Sequence, residues 1–469
     1  MFLFINRKEE IEYLEDRYNH AGFDFFVIYG RRRIGKTELI KNFVSGRPHI
    51  YMLCNKAGTV ANISKFKKEI AKFVHEPEIA SENLEEIFSY LVKKVNHKLI
   101  VVLDEFSFLV EKDDSITSLF QGVIDEVLKN RNIMLIFCGS SISMMESLLG
   151  VKNPLYGRKT GHMKIDFLKF RHLKEFFPGK TLEEYIQIYA ILGGVPFYLE
   201  KFEPDKSALE NALIEILSKK GRLFEEVDFL LKEEMREPDI YKSILCAISA
   251  GNAKVVDMAN KTGIKASDMD RYLKVLMMLG ILKKEMPVTE TKSKKTLYSI
   301  DDNFFDFYSL FFEPYRSDIE LGEMRNVEDN LKKKFNAYIG KKFENLVRKE
   351  IIRKVSPFPI SKLGKWWGFY RKNEDRIELE IDIVALNEEM NQILFSECKW
   401  QDKVNSQKIF EQLKEKTEYV KWHNDNRKEH YVIFAKSFSK RTKQALCIDL
   451  KDIEKITDVE GHTGMEQYL

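Results

Sequence analysis

Two groups of residues in this 469-residue chain have the types and spacing for phosphate chemistry. The first is Gly30-Arg31-Arg32-Arg33-Ile34-Gly35-Lys36-Thr37, which fits G-x-x-x-x-G-K-[ST]. Its glycines let the backbone N–H groups between Gly30 and Glu38 curl around a β-phosphate. Lys36 would neutralise β/γ charge, and the Thr37 hydroxyl would ligate Mg²⁺ at a helix N-terminus that already favours anions. Further on, Lys98-Leu-Ile-Val-Val-Leu-Asp104-Glu105 reads as a buried strand ending in two acids. Asp104 would hold Mg²⁺ through water, and Glu105 would polarise the water that attacks a γ-phosphate. Ser140, in Gly139-Ser140-Ser141, is the polar group expected to sense that phosphate. Arg158 lies in the glycine-flanked loop Pro154 to Gly161. It reads either as a stabiliser of transition-state charge, in cis or from a neighbouring subunit, or as a solvated surface arginine.

The second group lies near the C-terminus, in Glu380-Ile-Asp382 and Ser396-Glu397-Cys-Lys399-Trp400. The interval from Asp382 to Glu397 suits adjacent strands of a hairpin. Strand alternation then points Glu397 and Lys399 one way together, and likewise Glu380 and Asp382. Two such carboxylates form a hard oxygen site for Mg²⁺, with Mn²⁺ as an alternative. A neighbouring lysine can orient or deprotonate water for in-line attack on a phosphodiester, and Glu344 on the preceding helix would complete the metal's ligands. The basic residues Lys341, Lys342, Arg348, Lys349, Lys365, Arg371 and Lys372 suit a nucleic-acid backbone or, equally, an ordinary solvated face.

The elements that must position these groups follow from apolar periodicity. Short β-rich runs at Phe25–Tyr29, Ile50–Cys54, Leu99–Leu103 and Met134–Cys138 alternate with helical stretches such as Thr37–Phe43, the pattern of a parallel sheet with crossover helices. Helical spacing without strands follows over Leu182–Leu192 and Leu209–Leu217. Three helices (Asp239–Ala250, Ala253–Thr262, Ser267–Leu279) then precede strands at Ile281–Val288 and Thr296–Ile300, the order of a winged helix-turn-helix. Ser267 reads as N-cap of the recognition helix with Asp270 in a box-like start. The acids Asp268 and Asp270 argue against tight base readout, whereas Lys292, Lys294 and Lys295 of the wing suit phosphates. The last unit has a helix at Phe335–Lys354, strands at Glu378–Leu386 and Ile393–Trp400, a helix at Ser406–Trp422 and a strand at His430–Ala435. The division expected is an α/β core over residues 1–170, a helical lid over 171–235, a winged helix over 236–315, a linker over 316–332 and a C-terminal α/β domain over 333–469.

Several motifs occurring in one order resemble a known family. Phe4-Ile-Asn-Arg7 with Glu10 and Leu14, the phosphate loop, Asp104-Glu105, Cys138-Gly-Ser-Ser-Ile-Ser-Met-Met-Glu146, Tyr156-Gly-Arg158 and Gly193-Gly194-Val-Pro196-Phe-Tyr198 together are similar to the archaeal-type ATPases of the AAA+/STAND group of P-loop NTPases. The resemblance covers residues 1 to about 315. It implies an ATPase in which Phe4, Ile5 and Arg7 border the adenine and Pro196 meets the base from the helical lid. Pro196 after two glycines is also ordinary helix-start chemistry. The C-terminal unit, over about residues 330 to 440, resembles the PD-(D/E)xK nuclease fold and the domain often fused behind such ATPases. These resemblances imply ATP hydrolysis coupled to DNA binding and metal-dependent DNA cleavage. The alternative is a nucleotide-dependent switch or scaffold with an inactive nuclease fold, acting through protein partners or a homo-oligomer.

Length and composition set outer limits. At roughly 150 residues per domain, the chain should hold about three domains. A hydrophobic fraction of 44% with 32% charged residues supplies real cores, so the chain is not disordered. No apolar run approaches the ~18 residues that span a bilayer, and no secretory signal is read. The five cysteines form no C-x-x-C pair and read as reduced cytoplasmic thiols. The nine histidines form no zinc signature. A net charge of +3 conceals acidic sites offset by basic surfaces, so it does not exclude DNA.

Overall fold

A computed structural model of the protein describes residues 4–291, 293, 295–372 and 375–458, and the side chains of residues 371, 372, 375 and 458 lie outside that description. Lys292 and Lys294, two of the three expected wing lysines, are outside the described residues, as are the side chains of Arg371 and Lys372. The chain divides into two compact units: one runs to Leu168 and includes Val195–Phe197, the other comprises Lys169–Gly194 and the chain from Tyr198 onward.

The first unit is built on a parallel five-stranded sheet of order β2-β3-β4-β1-β5. Its strands are β1 (Asp24–Tyr29), β2 (His49–Leu53), β3 (Leu99–Asp104), β4 (Ile133–Gly139) and β5 (Gly161–Lys164). Every residue of β1, β3 and β4 is buried, because crossover helices cover both faces of a parallel sheet. One face packs Phe25, Phe88, Phe120 and Phe137 together with Phe106, whose ring stacks on that of Phe137 at 3.8 Å. The other packs Phe26, Ile28, Leu39, Phe43 and Ile136. The edge strand β5 has no apolar run to announce it, since Gly-His-Met-Lys is mostly exposed or half-buried.

In the second unit, helices Leu182–Leu192 and Ala208–Glu215 both begin with capping boxes, Thr181 with Glu184 and Ser207 with Glu210. Helices Pro238–Ser249, Val255–Thr262 and Ala266–Met278 follow, then an antiparallel hairpin of β6 (Leu282–Glu285) and β7 (Leu297–Ile300). The expected N-cap at Ser267 is not formed. The helix starts at Ala266, so Ser267 falls in its first turn and its hydroxyl faces Asp268. The stretch read as a linker is helical: Arg316–Leu321 and Met324–Leu346 are helices, anchored by buried Val327 and Leu331. Two apolar anchors among so many charges gave the periodicity too little weight.

The C-terminal sheet has order β14-β12-β10-β9-β8. Its strands are β8 (Lys362–Lys372), β9 (Asp375–Asn387), β10 (Gln392–Lys399), β12 (Lys428–Ala435) and β14 (Leu446–Ile448), while β11 (Val404–Asn405) pairs with β13 (Phe438–Lys440). β9 runs antiparallel to both β8 and β10, and β10 pairs parallel with β12. The β8–β9 register shifts between Gly364↔Val384 and Trp366↔Ile381, which sets Asp382 and Ile383 together against Lys365. This bulge interrupts the alternation just after Asp382, so that Ile381 and Val384 face the same core while Glu380 and Asp382 keep the common side expected of them. The helix Ser406–Thr417 covers the sheet and stops short of the expected Trp422. Among the described residues no helix is long and apolar enough to cross a membrane.

Candidate functional site

The phosphate loop joins β1 to the helix Lys36–Val44. Gly30 admits no side chain, because a Cβ there would meet the Ile165 carbonyl oxygen at 2.5 Å. Arg33 and Gly35 both have positive φ, 72° and 87°, flanking Ile34. Such alternation turns successive N–H groups toward one concavity, an anion nest at a helix N-terminus. Lys36 is 6% exposed, and its ammonium donates to the carbonyls of Gly30 and Arg31, both at 2.9 Å. Burial pushes its pKa down, opposed by Asp104 and Glu105. The three loop arginines lie near aromatic rings, Arg31 by Phe167, Arg32 by Phe108 and Arg33 over Phe197 at 4.0 Å. Glu38 sits in the helix's first turn and faces Lys41.

Asp104 and Glu105 end β3 beside this loop. The Thr37 hydroxyl donates to Asp104 Oδ2 at 2.8 Å, and the Tyr51 hydroxyl donates to the same oxygen at 2.6 Å. Tyr51 was not foreseen from the sequence; its signal was its place in β2, the strand paired with β3. Thr37 and Asp104 supply hard oxygen donors of the kind Mg²⁺ takes. Glu105 adopts φ of 55°, and its carboxylate accepts from the Ser140 hydroxyl at 2.7 and 2.9 Å and from the Ser140 N–H at 3.2 Å. Since β4 lies between β3 and β1, Ser140 stands between Glu105 and the phosphate loop.

Arg158 is placed elsewhere. Its guanidinium holds Asp125, with Nη2 to Oδ2 at 2.6 Å, and the nearby Thr160 N–H donates to the Phe25 carbonyl at the entry of β1. The phosphate loop leaves β1 at its other end, about 17 Å away for a six-residue strand. Within one chain, therefore, Arg158 does not share the phosphate loop's edge of the sheet.

Of the residues expected around the adenine, Ile5 is buried, and Phe4 packs against the core beneath the phosphate-loop helix. Arg7, 5% exposed and at φ of 71°, donates to the carbonyls of Ile34 at 3.1 Å and Asp166 at 2.6 Å and pairs with Glu10 at 2.9 Å. It thus braces the phosphate loop from outside. Pro196 lies 3.9 Å from where a Cβ on Gly35 would stand, and the Phe197 N–H donates to the Arg33 carbonyl. Phe197 was missed because only the Gly-Gly-x-Pro element drew attention.

In the second unit, the side chains of Asp382, Glu397 and Lys399 converge where β9 and β10 part. The Lys399 ammonium lies 2.5 Å from Glu397 Oε2 and 3.9 Å from Asp382 Oδ2, and the Cys398 N–H donates to Asp382 at 2.8 Å. Burial raises the Asp382 pKa, and the charges of Glu397 and Glu344 add to the rise. Burial also acts to raise that of Glu397, but Lys399 and Lys416 prevail and hold it down. Lys416, from the last turn of Ser406–Thr417, reaches Glu397 Oε1 at 2.6 Å. Sequence reading passed it over, although a lysine on the helix covering two acid-bearing strands is a fair signal. Glu344 pairs with Lys365 at 3.0 Å, and Lys365 also meets Glu380 at 3.0 Å. Of the other basic residues named from sequence, Lys342 pairs with Asp306, Arg348 with Glu285 and Lys349 with Asp301, while Lys341 is exposed. Asp382 and Glu397 offer hard oxygens suited to a divalent ion, yet ammonium groups occupy both oxygens of Glu397. Among the described residues no group of three or more His, Cys, Asp or Glu is arranged to hold a metal.

An ATPase domain found predominantly in archaea matches residues 4–202, and a domain of archaeal and bacterial proteins of unknown function matches residues 286–413. Together with the parallel sheet and its phosphate loop, the first match defines a P-loop ATPase domain. An uncharacterised protein of Methanocaldococcus jannaschii is 40% identical over 460 residues, covering 96% of this chain and all of that protein. The chain belongs to the same family as that archaeal protein. A shorter uncharacterised ATP-binding protein of the same organism is 49% identical over 45 residues, 10% of this chain and 76% of that one. Among solved structures, a Walker-type ATPase of Pyrococcus abyssi covers 65% of this chain and 96% of its own, at 20% identity and a TM-score of 0.49.

Proposed function

We propose that the ATPase unit hydrolyses ATP with Mg²⁺ and that its nucleotide state governs a metal-dependent phosphodiesterase site in the second unit, acting on DNA. The observation that carries the second half is the convergence of Asp382, Glu397 and Lys399 at one strand end. In the first unit, Lys36 and the loop N–H groups bind the β- and γ-phosphates, Thr37 and Asp104 hold the ion, Glu105 orients the attacking water and Ser140 fixes Glu105. In the second, Asp382 and Glu397 would hold the ion, with Glu344 behind Lys365, and the Lys399 ammonium would orient the attacking water and steady the developing charge. Mg²⁺ or Mn²⁺ bound there supplies Lewis-acid stabilisation of charge on the phosphodiester.

The helices Pro238–Ser249 to Ala266–Met278 with the β6–β7 hairpin are read as a winged helix. The solvent face of Ala266–Met278 mixes Asp268 and Asp270 with Arg271 and Lys274, and Lys274 pairs with Asp270 at 2.7 Å. Meanwhile Glu285 on β6 meets Arg348 at 2.6 Å, and Lys283 donates to Asn345 at 3.0 Å. Those bonds favour a second role for this module, as the piece that carries a change of state to the C-terminal sheet.

Labelled single- and double-stranded DNA, incubated with Mg²⁺ or Mn²⁺ and with or without ATP, tests the proposal. Cleavage by wild type that disappears in Asp382→Ala supports the phosphodiesterase site, and disappearance in Lys36→Ala as well supports nucleotide control. Absence of cleavage by wild type under every condition overturns the nuclease reading and leaves a nucleotide-dependent switch acting through protein partners.

A further inference from the structure

Glu397 is the most enclosed carboxylate of the C-terminal site, its side chain 3% exposed, and both its oxygens are taken by cations. Lys399 holds one from two residues along the same strand, and Lys416 holds the other from a separate helix. The two ammoniums differ in their freedom. Lys399 has a second carboxylate within reach, Asp382 at 3.9 Å. Lys416 meets Glu397 alone among its described ion pairs, and its side chain is 27% exposed, so it touches both the buried acid and solvent. With an ammonium on each of its oxygens, Glu397 presents positive charge to a free divalent ion that approaches it from either side, and the exposed flank of Lys416 presents the same charge to an anion. A cation approaching either oxygen of Glu397 competes with the ammonium already there, and an anion that draws the part-solvated Lys416 ammonium away lowers that barrier.

We propose that Lys416 guards Glu397 against cations and releases it when a phosphodiester oxygen offers the lysine a replacement partner. This rests on the metal-dependent phosphodiesterase reading above, and it makes metal and substrate bind cooperatively. Lys416 suits such an exchange. Its flexible four-carbon stem carries a compact charge, and the C-terminal turn of a helix favours a cation whether or not Glu397 holds it.

Mn²⁺ binding, measured by electron paramagnetic resonance on the nucleotide-free full chain carrying Asp104→Asn to silence the phosphate-loop site, provides a readout independent of cleavage. Removing one charge-assisted hydrogen bond from Glu397 in Lys416→Met should tighten Mn²⁺ binding roughly ten- to hundredfold. Lys416→Arg, which keeps the charge, should bind as the parent does. A short phosphorothioate DNA resistant to cleavage should tighten Mn²⁺ binding by the parent and leave Lys416→Met unmoved, because the coupling between two ligands is reciprocal. Mn²⁺ affinity unchanged or weakened in Lys416→Met overturns the guarding role. If Asp382→Ala added to Lys416→Met leaves Mn²⁺ binding as in Lys416→Met, the ion lies elsewhere, and the metal reading of the site falls and this proposal with it.

Discussion

Arg7 separates two accounts of the nucleotide site. Its resemblance-based role is to border the adenine, whereas its observed bonds hold the phosphate loop and the segment after β5 by their backbone carbonyls. Arg7→Met keeps much of the stem but removes the guanidinium from a position only 5% exposed. The Ile34 and Asp166 carbonyls then lose a charged donor. At ~1–3 kcal/mol for a buried group left unsatisfied, the Ile34 carbonyl alone makes the loss about 1–3 kcal/mol, since the carbonyl of exposed Asp166 can turn to water. A domain of this size shifts by about 2–4 °C per kcal/mol, so the nucleotide-free protein should melt at least ~2 °C lower. Differential scanning calorimetry without nucleotide measures this directly, with Arg7→Lys as a partial rescue that restores one donor but not the fork. A nucleotide-free melting temperature equal to wild type, with only ATP affinity reduced, would refute the bracing role and return Arg7 to the adenine.

Other consequences follow from the same geometry. Ser140→Ala removes the hydroxyl that holds Glu105 and leaves the backbone N–H in place, so ATP turnover should fall about ten- to a hundredfold with KM little changed; a kcat at wild-type level would contradict this. Tyr51→Phe keeps the ring but frees one side of Asp104, and a titration of turnover against Mg²⁺ should show a midpoint shifted by about tenfold. Glu350, which accepts from the Phe170 N–H at 3.0 Å and the Tyr189 hydroxyl at 3.3 Å, has its pKa raised above the ordinary carboxyl value near 4.5 by burial. The folded state therefore keeps this proton to higher pH than the unfolded chain does. Its contribution to stability is present below pH 4.5 and is lost as pH rises through the folded value. Wild type should lose stability relative to Glu350→Gln above that pH, and a pH-independent difference from pH 4 to 8 would show that Glu350 is not held this way.

What the sequence disclosed depended on whether a group is contiguous. The phosphate loop and Asp104-Glu105 are legible because each is one run whose chemistry needs its neighbours in order. Tyr51, Phe197 and Lys416 act on residues from other elements, and nothing local marks them. Lys416 is one of many lysines on a solvated helix until β10 is placed beneath it. β8 escaped notice because Lys-Leu-Gly-Lys-Trp-Trp-Gly-Phe-Tyr has two glycines and no clean alternation, and the bulge at Asp382–Ile383 cannot be read from one strand alone. Arg158 looked available for phosphate in its loop, and only the strand order shows which end of the sheet it occupies.

Phosphate release from ATP tests the central claim most directly, with wild type, Lys36→Ala and Asp382→Ala measured side by side in Mg²⁺. The account predicts turnover by wild type, none above background in Lys36→Ala and wild-type turnover in Asp382→Ala, whose site lies in the other unit. Turnover persisting in Lys36→Ala would contradict the assignment of the phosphate loop as the hydrolytic centre.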